Sequence, residues 1–245
     1  MKKSKGFLRF NNRTLYFRAD CEFADILDKN IELLAGDGED VLKNIAPIKH
    51  ATYKSTYKNT PFARKLFVNH FQYTLYSSFI KELYEETTEY FRYILIQGAK
   101  NTTNVNRIVG EHKTNFDANS LLSTSTHEEV IQLVIENIFQ QLENERSTVD
   151  LINKIKRKLG LTISDNIVNE ALPYLLLRHI LVHSDGKPNK EFTDKYQTFI
   201  INKKGRCELS LRLVSDAHKK ILLLIKEFDK GMILNNFFLN DELQP

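Results

Sequence analysis

From Phe62 to Gln97 apolar and aromatic side chains recur at helical spacing, with no glycine or proline to interrupt them. Leu66, Phe67, His70, Phe71, Tyr73, Leu75, Tyr76, Phe79, Leu83, Tyr90, Phe91, Ile94 and Leu95 form a broad stripe. Glu82, Glu85, Glu86 and Glu89 supply a wet face. Such a segment predicts one long helix, or two in line, stable only where other helices cover its apolar side. The stripe reads as core rather than as a cofactor box, and His70 as a satisfied core histidine. Nine glycines, five prolines and no tryptophan among 245 residues argue against a loop-rich or all-β chain. The fold class expected is therefore mainly α. At 42% hydrophobic and 27% charged, the chain can bury one substantial core, with a small N-terminal extension over residues 1–60 packed on it.

The other elements are shorter. Residues 7–18 alternate loosely around Asn11-Asn12, as a small β-hairpin or an irregular lead-in would. Ala24–Leu34 has helical spacing and stops at Gly36-Asp37-Gly38; a shorter helix is expected from Glu39 to Ile45. Residues 98–125 read mostly as loop, with a short element near Leu121. Thr126 and Glu129 make a capping box that starts the next helix. Leu151–Leu159 is helical, with Lys154, Lys156, Arg157 and Lys158 on its exposed side, and such a run is ordinarily a solvated face. Ser164-Asp165 starts a helix that Pro173 kinks or restarts. A second hairpin is expected at about 197–211 around Lys203-Lys204-Gly205, and Ser215-Asp216 is expected to cap a last helix.

A net charge of +4 permits nucleic-acid binding without marking a dedicated binder. Cys21 and Cys207 are too few for a disulfide framework or a zinc site, which fits a reducing cytoplasm. The basic start lacks the apolar core of a signal peptide, and no run reaches membrane-spanning length. Thr52-Tyr53-Lys54-Ser55 is echoed by Thr56-Tyr57-Lys58-Asn59. On a helix Tyr53 and Tyr57 would share a face suited to stacking RNA bases, although a polar linker with two partly packed tyrosines is the plainer reading.

The chemistry concentrates in Leu175–Phe192, LLLRHILVHSDGKPNKEF. Arg178, His179 and His183 stand in an apolar helical run of Leu176, Leu177, Ile180 and Leu181. A charged group placed there has to be paired or put to use. Gly186 is a natural left-handed terminator and Pro188 cannot continue the helix. His183 thus falls in the last turn, where free carbonyls and the dipole favour an imidazolium. His179 and His183 share a face, whereas Arg178 and His183 diverge by about 140° on a straight helix. For both to act on one phosphate, the helix end must distort or a second copy must face the first; the second copy is the expectation.

The Arg178-His179-x3-His183 pattern, followed by SDGKPNKEF, resembles the signature of the HEPN superfamily (higher eukaryotes and prokaryotes nucleotide-binding domains). That signature is an Arg, a polar neighbour, a short spacer and a His. His179 stands where Asn is commonest. The resemblance covers roughly residues 62–230 and implies a HEPN-like helical bundle over 61–245, with the long helix at its centre. It further implies a metal-independent endoribonuclease without a cofactor, of the toxin or anti-phage kind, whose active site forms across a homodimer. An antitoxin or sensor protein would be a further partner. In that reading His183 is the acid/base, Arg178 clamps the phosphate and stabilises developing charge, and His179 orients the site. Lys187, Asn189 and Lys190, with Tyr53 and Tyr57, would contact RNA. Asp185 and Asn189 also fit as capping groups of the turn. His179 and His183 alone are too few to hold zinc. The alternative is a non-catalytic helical module that binds a nucleotide, RNA or a partner protein.

Overall fold

Residues 61–101 form a single helix. In the computed structural model, which describes residues 2–36, 59–101, 105–111, 115–143 and 147–244, α2 spans Pro61–Asn101, about 60 Å at the usual rise per residue. Tyr76, Phe79, Ile80, Leu83, Tyr90, Phe91, Ile94 and Leu95 on it are all buried, so the stripe is core from Tyr76 onward, while Leu66 and Tyr73 nearer its start are exposed. Two expectations for this helix fail. His70 is exposed, because it lies in the first third, where α2 has fewer neighbours. Glu86 is buried, because the Arg13 guanidinium reaches it from the next helix.

That neighbour is α1, Lys5–Lys29, which occupies the stretch expected to be a hairpin or lead-in. Ser4 caps it by accepting from the Phe7 N–H at 3.0 Å, and Phe7, Phe10, Thr14, Phe17, Cys21 and Ala24 recur every three or four residues on the side facing the core. Asn11-Asn12 misled because two turn-formers outweighed a spaced apolar set that tertiary burial makes decisive. Gly6 permits the closest approach: a Cβ there would meet the Tyr93 ring at 2.3 Å. A two-residue strand pair, β1 (Lys3–Ser4) with β2 (Leu243–Gln244), runs antiparallel beside it.

Around α2 pack α1, α5 (His127–Glu143), α6 (Thr148–Leu159), α7 (Asp165–His183) and α9 (Leu211–Leu234). The architecture is mainly α, with one core shared by α1 and the helices that follow. The capping box stands as expected: the Glu129 N–H donates to Thr126 Oγ1 at 3.2 Å, and the Thr126 N–H donates to Glu129 Oε2 at 3.3 Å. Among the described residues of the stretch 98–125, α2 continues to Asn101, α3 (Val105–Val109) adds an unexpected turn of helix, and α4 (Ala118–Leu122) is the short element expected near Leu121. The basic run on α6 is not a free cationic face. Lys158 is buried and its ammonium donates to the Ile108 and Val109 carbonyls at 2.7 and 3.0 Å, while Lys156 pairs with Asp165 at 3.0 Å. Burial lowers the Lys158 pKa from its ordinary value. At 197–211 the hairpin shrinks to one bridge, Ile201 with Cys207, around a turn whose Gly205 has φ +75°. Ser210, not Ser215, caps α9, accepting from the Leu213 N–H at 3.2 Å.

Candidate functional site at the end of α7

Helix α7 runs unbroken through Pro173, which is buried, and ends at His183. Val168, Ala171, Leu172, Leu175, Leu177, Ile180 and Leu181 anchor it in the core. Two N–H groups, from Ser184 and Gly186, close on the Ile180 carbonyl at 3.1 and 3.0 Å. Gly186 has the expected left-handed backbone, φ +76°, and Asp185 shares it at φ +52°. The turn is then clamped from the 200–208 segment. The Cys207 N–H donates to the Gly186 carbonyl at 2.8 Å, and the Arg206 guanidinium pairs with the Asp185 carboxylate. His183 therefore sits on a fixed helix end rather than a frayed one.

Asn189 caps a short helix that the sequence reading did not anticipate, α8 (Lys190–Lys195), by accepting from the Phe192 N–H at 2.9 Å. The Asn189-x-x-Phe192 spacing was its signal. Between α8, the end of α7 and Ser147 at the start of α6 lies a cleft of about 520 Å³. His179, Lys187 and Asn189 line it, together with Ser184, Glu191, Lys195 and Tyr196. Lys190 begins α8 at its exposed edge.

His179 and His183 come together, with ring centroids 4.5 Å apart, and both side chains are exposed. Arg178 does not join them. It turns to α2, where its guanidinium lies 5.0 Å over the Tyr84 ring and its Nη2 donates to Glu85 Oε1 at 3.0 Å. Burial raises the Tyr84 pKa, and the Arg178 charge works against that rise. Tyr84 and Glu85 are site neighbours with no local signal in the sequence, where Glu85 belongs to the wet face of α2. The Arg178 side chain keeps 29% of its exposure and Glu85 keeps 53%, and a pair that open contributes under about 1 kcal/mol. The Arg178 Nε is shielded and has no hydrogen-bond partner among the described residues. The exposed part of the guanidinium, not the shielded Nε, is what an anion beyond Glu85 can reach. Tyr53 and Tyr57 lie outside the described residues. Among the described residues, no three His, Cys, Asp or Glu side chains gather as a metal site.

Chemically, the helix end offers two adjacent imidazoles in water, lysines beside them, and a guanidinium on the next flank. That set can exchange protons and hold a phosphate, and in one copy the arginine and the terminal imidazole stand on different flanks. Compared with family models, curated proteins and solved structures, the chain matches none.

Proposed function

We propose that this protein is a metal-independent endoribonuclease, related to the HEPN superfamily, whose active site forms where the α7 ends of two copies meet. The observation that carries the reading is the exposed His179–His183 pair on a clamped helix end beside Lys187, with Arg178 one flank away. Within the two-copy site the reaction needs no co-reactant beyond RNA. The 2′-hydroxyl oxygen attacks the adjacent phosphorus as one His183 takes its proton. The P–O5′ bond then breaks as the other His183 supplies a proton to the leaving oxygen. Arg178 stabilises the charge on the phosphorane. A role as a toxin or phage-defence effector in the cytoplasm, held in check by an antitoxin or sensor protein, follows from the same resemblance.

One observation favours a second reading, a non-catalytic module that binds nucleotide or RNA: Arg178 already has Glu85 and Tyr84 within its own chain. Incubating the protein with single-stranded RNA in EDTA separates the two. The nuclease is expected to cut in chelator, and His183→Ala to lower the rate at least a hundredfold, the usual weight of a general acid–base group, roughly 10²–10⁴. Binding without scission would support the module.

A further inference from the structure

We infer that the pocket where α3 meets the end of α6 binds a single phosphoryl dianion, with the buried Lys158 ammonium as its main contact. Two helix ends meet here, and each takes a cation from the other. Lys158 Nζ donates to the Ile108 and Val109 carbonyls at 2.7 and 3.0 Å, and Arg107 Nε donates back to the Lys158 carbonyl at 3.0 Å. Those bonds satisfy carbonyls and leave the charge unanswered. The Lys158 residue is only 5% exposed, and among the described residues no carboxylate lies within ion-pairing distance of its ammonium. Glu111 pairs with Lys154 instead, at 3.4 Å, and stays mostly in water. A buried charge without a counter-charge is costly. An ammonium also carries three N–H groups, so one remains beyond the two carbonyls. Water can take that N–H but brings no charge, whereas an anion supplies acceptor and charge together.

The lining sets the size and charge of the occupant. Lys158 borders a cavity of about 140 Å³ together with Arg107, Gly110, Glu111, Lys154 and Arg157. That is well below the roughly 300–1,000 Å³ of sites for drug-sized ligands, so the occupant is a small ion. Gly110 keeps the approach to it open: its backbone is left-handed at φ +59°, and a Cβ there would stand 3.1 Å from the Lys158 ammonium. Four cations stand against the single carboxylate of Glu111, an excess of three positive charges. Burial lowers the Lys158 pKa, Glu111 works against that, and repulsion from Lys154 and Arg157 adds to it, so the cations feel one another across the pocket. A dianion answers such an excess better than a monoanion, and the planar Arg157 guanidinium suits phosphoryl oxygens. Inorganic phosphate and a terminal phosphate monoester share that chemistry.

The test is titration calorimetry of the intact protein with inorganic phosphate, glycerol 3-phosphate and dimethyl phosphate, with sodium chloride holding the ionic strength constant. Both dianions are expected to bind, and dimethyl phosphate, a monoanion, about tenfold more weakly. The tighter of the two dianions tells whether the free ion or the monoester is preferred. Lys158→Met is expected to weaken both by about tenfold or more, the weight of a charged hydrogen bond. Because that change also removes a donor from two carbonyls, the exposed Arg157→Gln is measured beside it, with an expected loss of about threefold and an unchanged melting temperature. Glu111→Gln removes the competing carboxylate and is expected to tighten both dianions. Lys187→Ala, at the end of α7, is expected to leave this binding intact. Dianions that bind no better than dimethyl phosphate, or as well to Lys158→Met and Arg157→Gln as to the parent, would overturn the site. So would binding lost in Lys187→Ala and kept in Lys158→Met, which would place the ion at the end of α7.

Discussion

Glu85 is the residue on which the availability of Arg178 depends. Because the pair is open to water, Glu85→Gln is expected to shift the melting temperature by no more than a degree or two. It should also tighten RNA binding, since a phosphate no longer competes with a carboxylate for the guanidinium; filter binding at fixed salt would show this. Weaker RNA binding in that variant would instead mark Glu85 as part of the working site. A second residue, His218, is buried against Thr14, whose Oγ1 lies 3.1 Å from Nε2, and burial with the nearby Arg18 charge lowers its pKa to about 4. The unfolded chain binds that proton more readily, near pH 6.5, so stability is full above that value and is lost as the pH falls toward 4. The loss can reach about 3 kcal/mol, and Asp229, whose burial raises its pKa, works in the opposite direction. Denaturant melts of the parent and His218→Gln between pH 4 and 7 would isolate the histidine: the parent should steepen on acidification and the variant should not. Neither histidine environment was legible in the sequence. His70 lies in the aromatic stripe yet faces water, and His218 looks like a surface residue beside two lysines yet is buried. Which side of a helix is covered depends on partners far along the chain.

At the scale of elements, periodicity and caps carried most of the information. The 41-residue α2 and the box at the start of α5 follow from local rules, because spacing and caps act within a few residues. Helix α1 did not, because its stability comes from distant contacts: Asp229 on α9 holds the Ser4 N–H at 3.1 Å, and Tyr90 donates to the same carboxylate at 3.1 Å. The α7 terminus was legible as a glycine-ended helix, whereas its clamp from Cys207 and Arg206 required the fold. Gly186→Ala forces a side chain into a left-handed backbone at φ +76° and is expected to cost about 1 kcal/mol in chemical denaturation. On the nuclease reading it should also reduce RNA cleavage by more than the fraction unfolded, because His183 loses its fixed position. On α6, Lys158→Met leaves the Ile108 and Val109 carbonyls without their donor and is expected to cost roughly 1–3 kcal/mol. A neutral outcome would show that water replaces the ammonium there.

For the whole molecule, the long helix supplies a rigid core and leaves the end of α7 at the surface. His179, Val182 and His183 are exposed together on that end, with Val182 44% accessible. This is the face through which two copies meet in the proposed dimer. On the proposed dimeric reading, the parent is expected to scatter light as a dimer and Val182→Glu as a monomer with helicity intact; a monomeric parent would contradict that reading. The most direct measurement is the chemistry of the cut ends. Attack by the 2′-hydroxyl must leave a 5′-hydroxyl on one fragment and a cyclic or 3′-phosphate on the other. Labelled single-stranded RNA incubated in EDTA should yield 5′-hydroxyl ends that Arg178→Ala and His183→Ala abolish; 5′-phosphate ends, or intact RNA with the parent protein, would contradict the account.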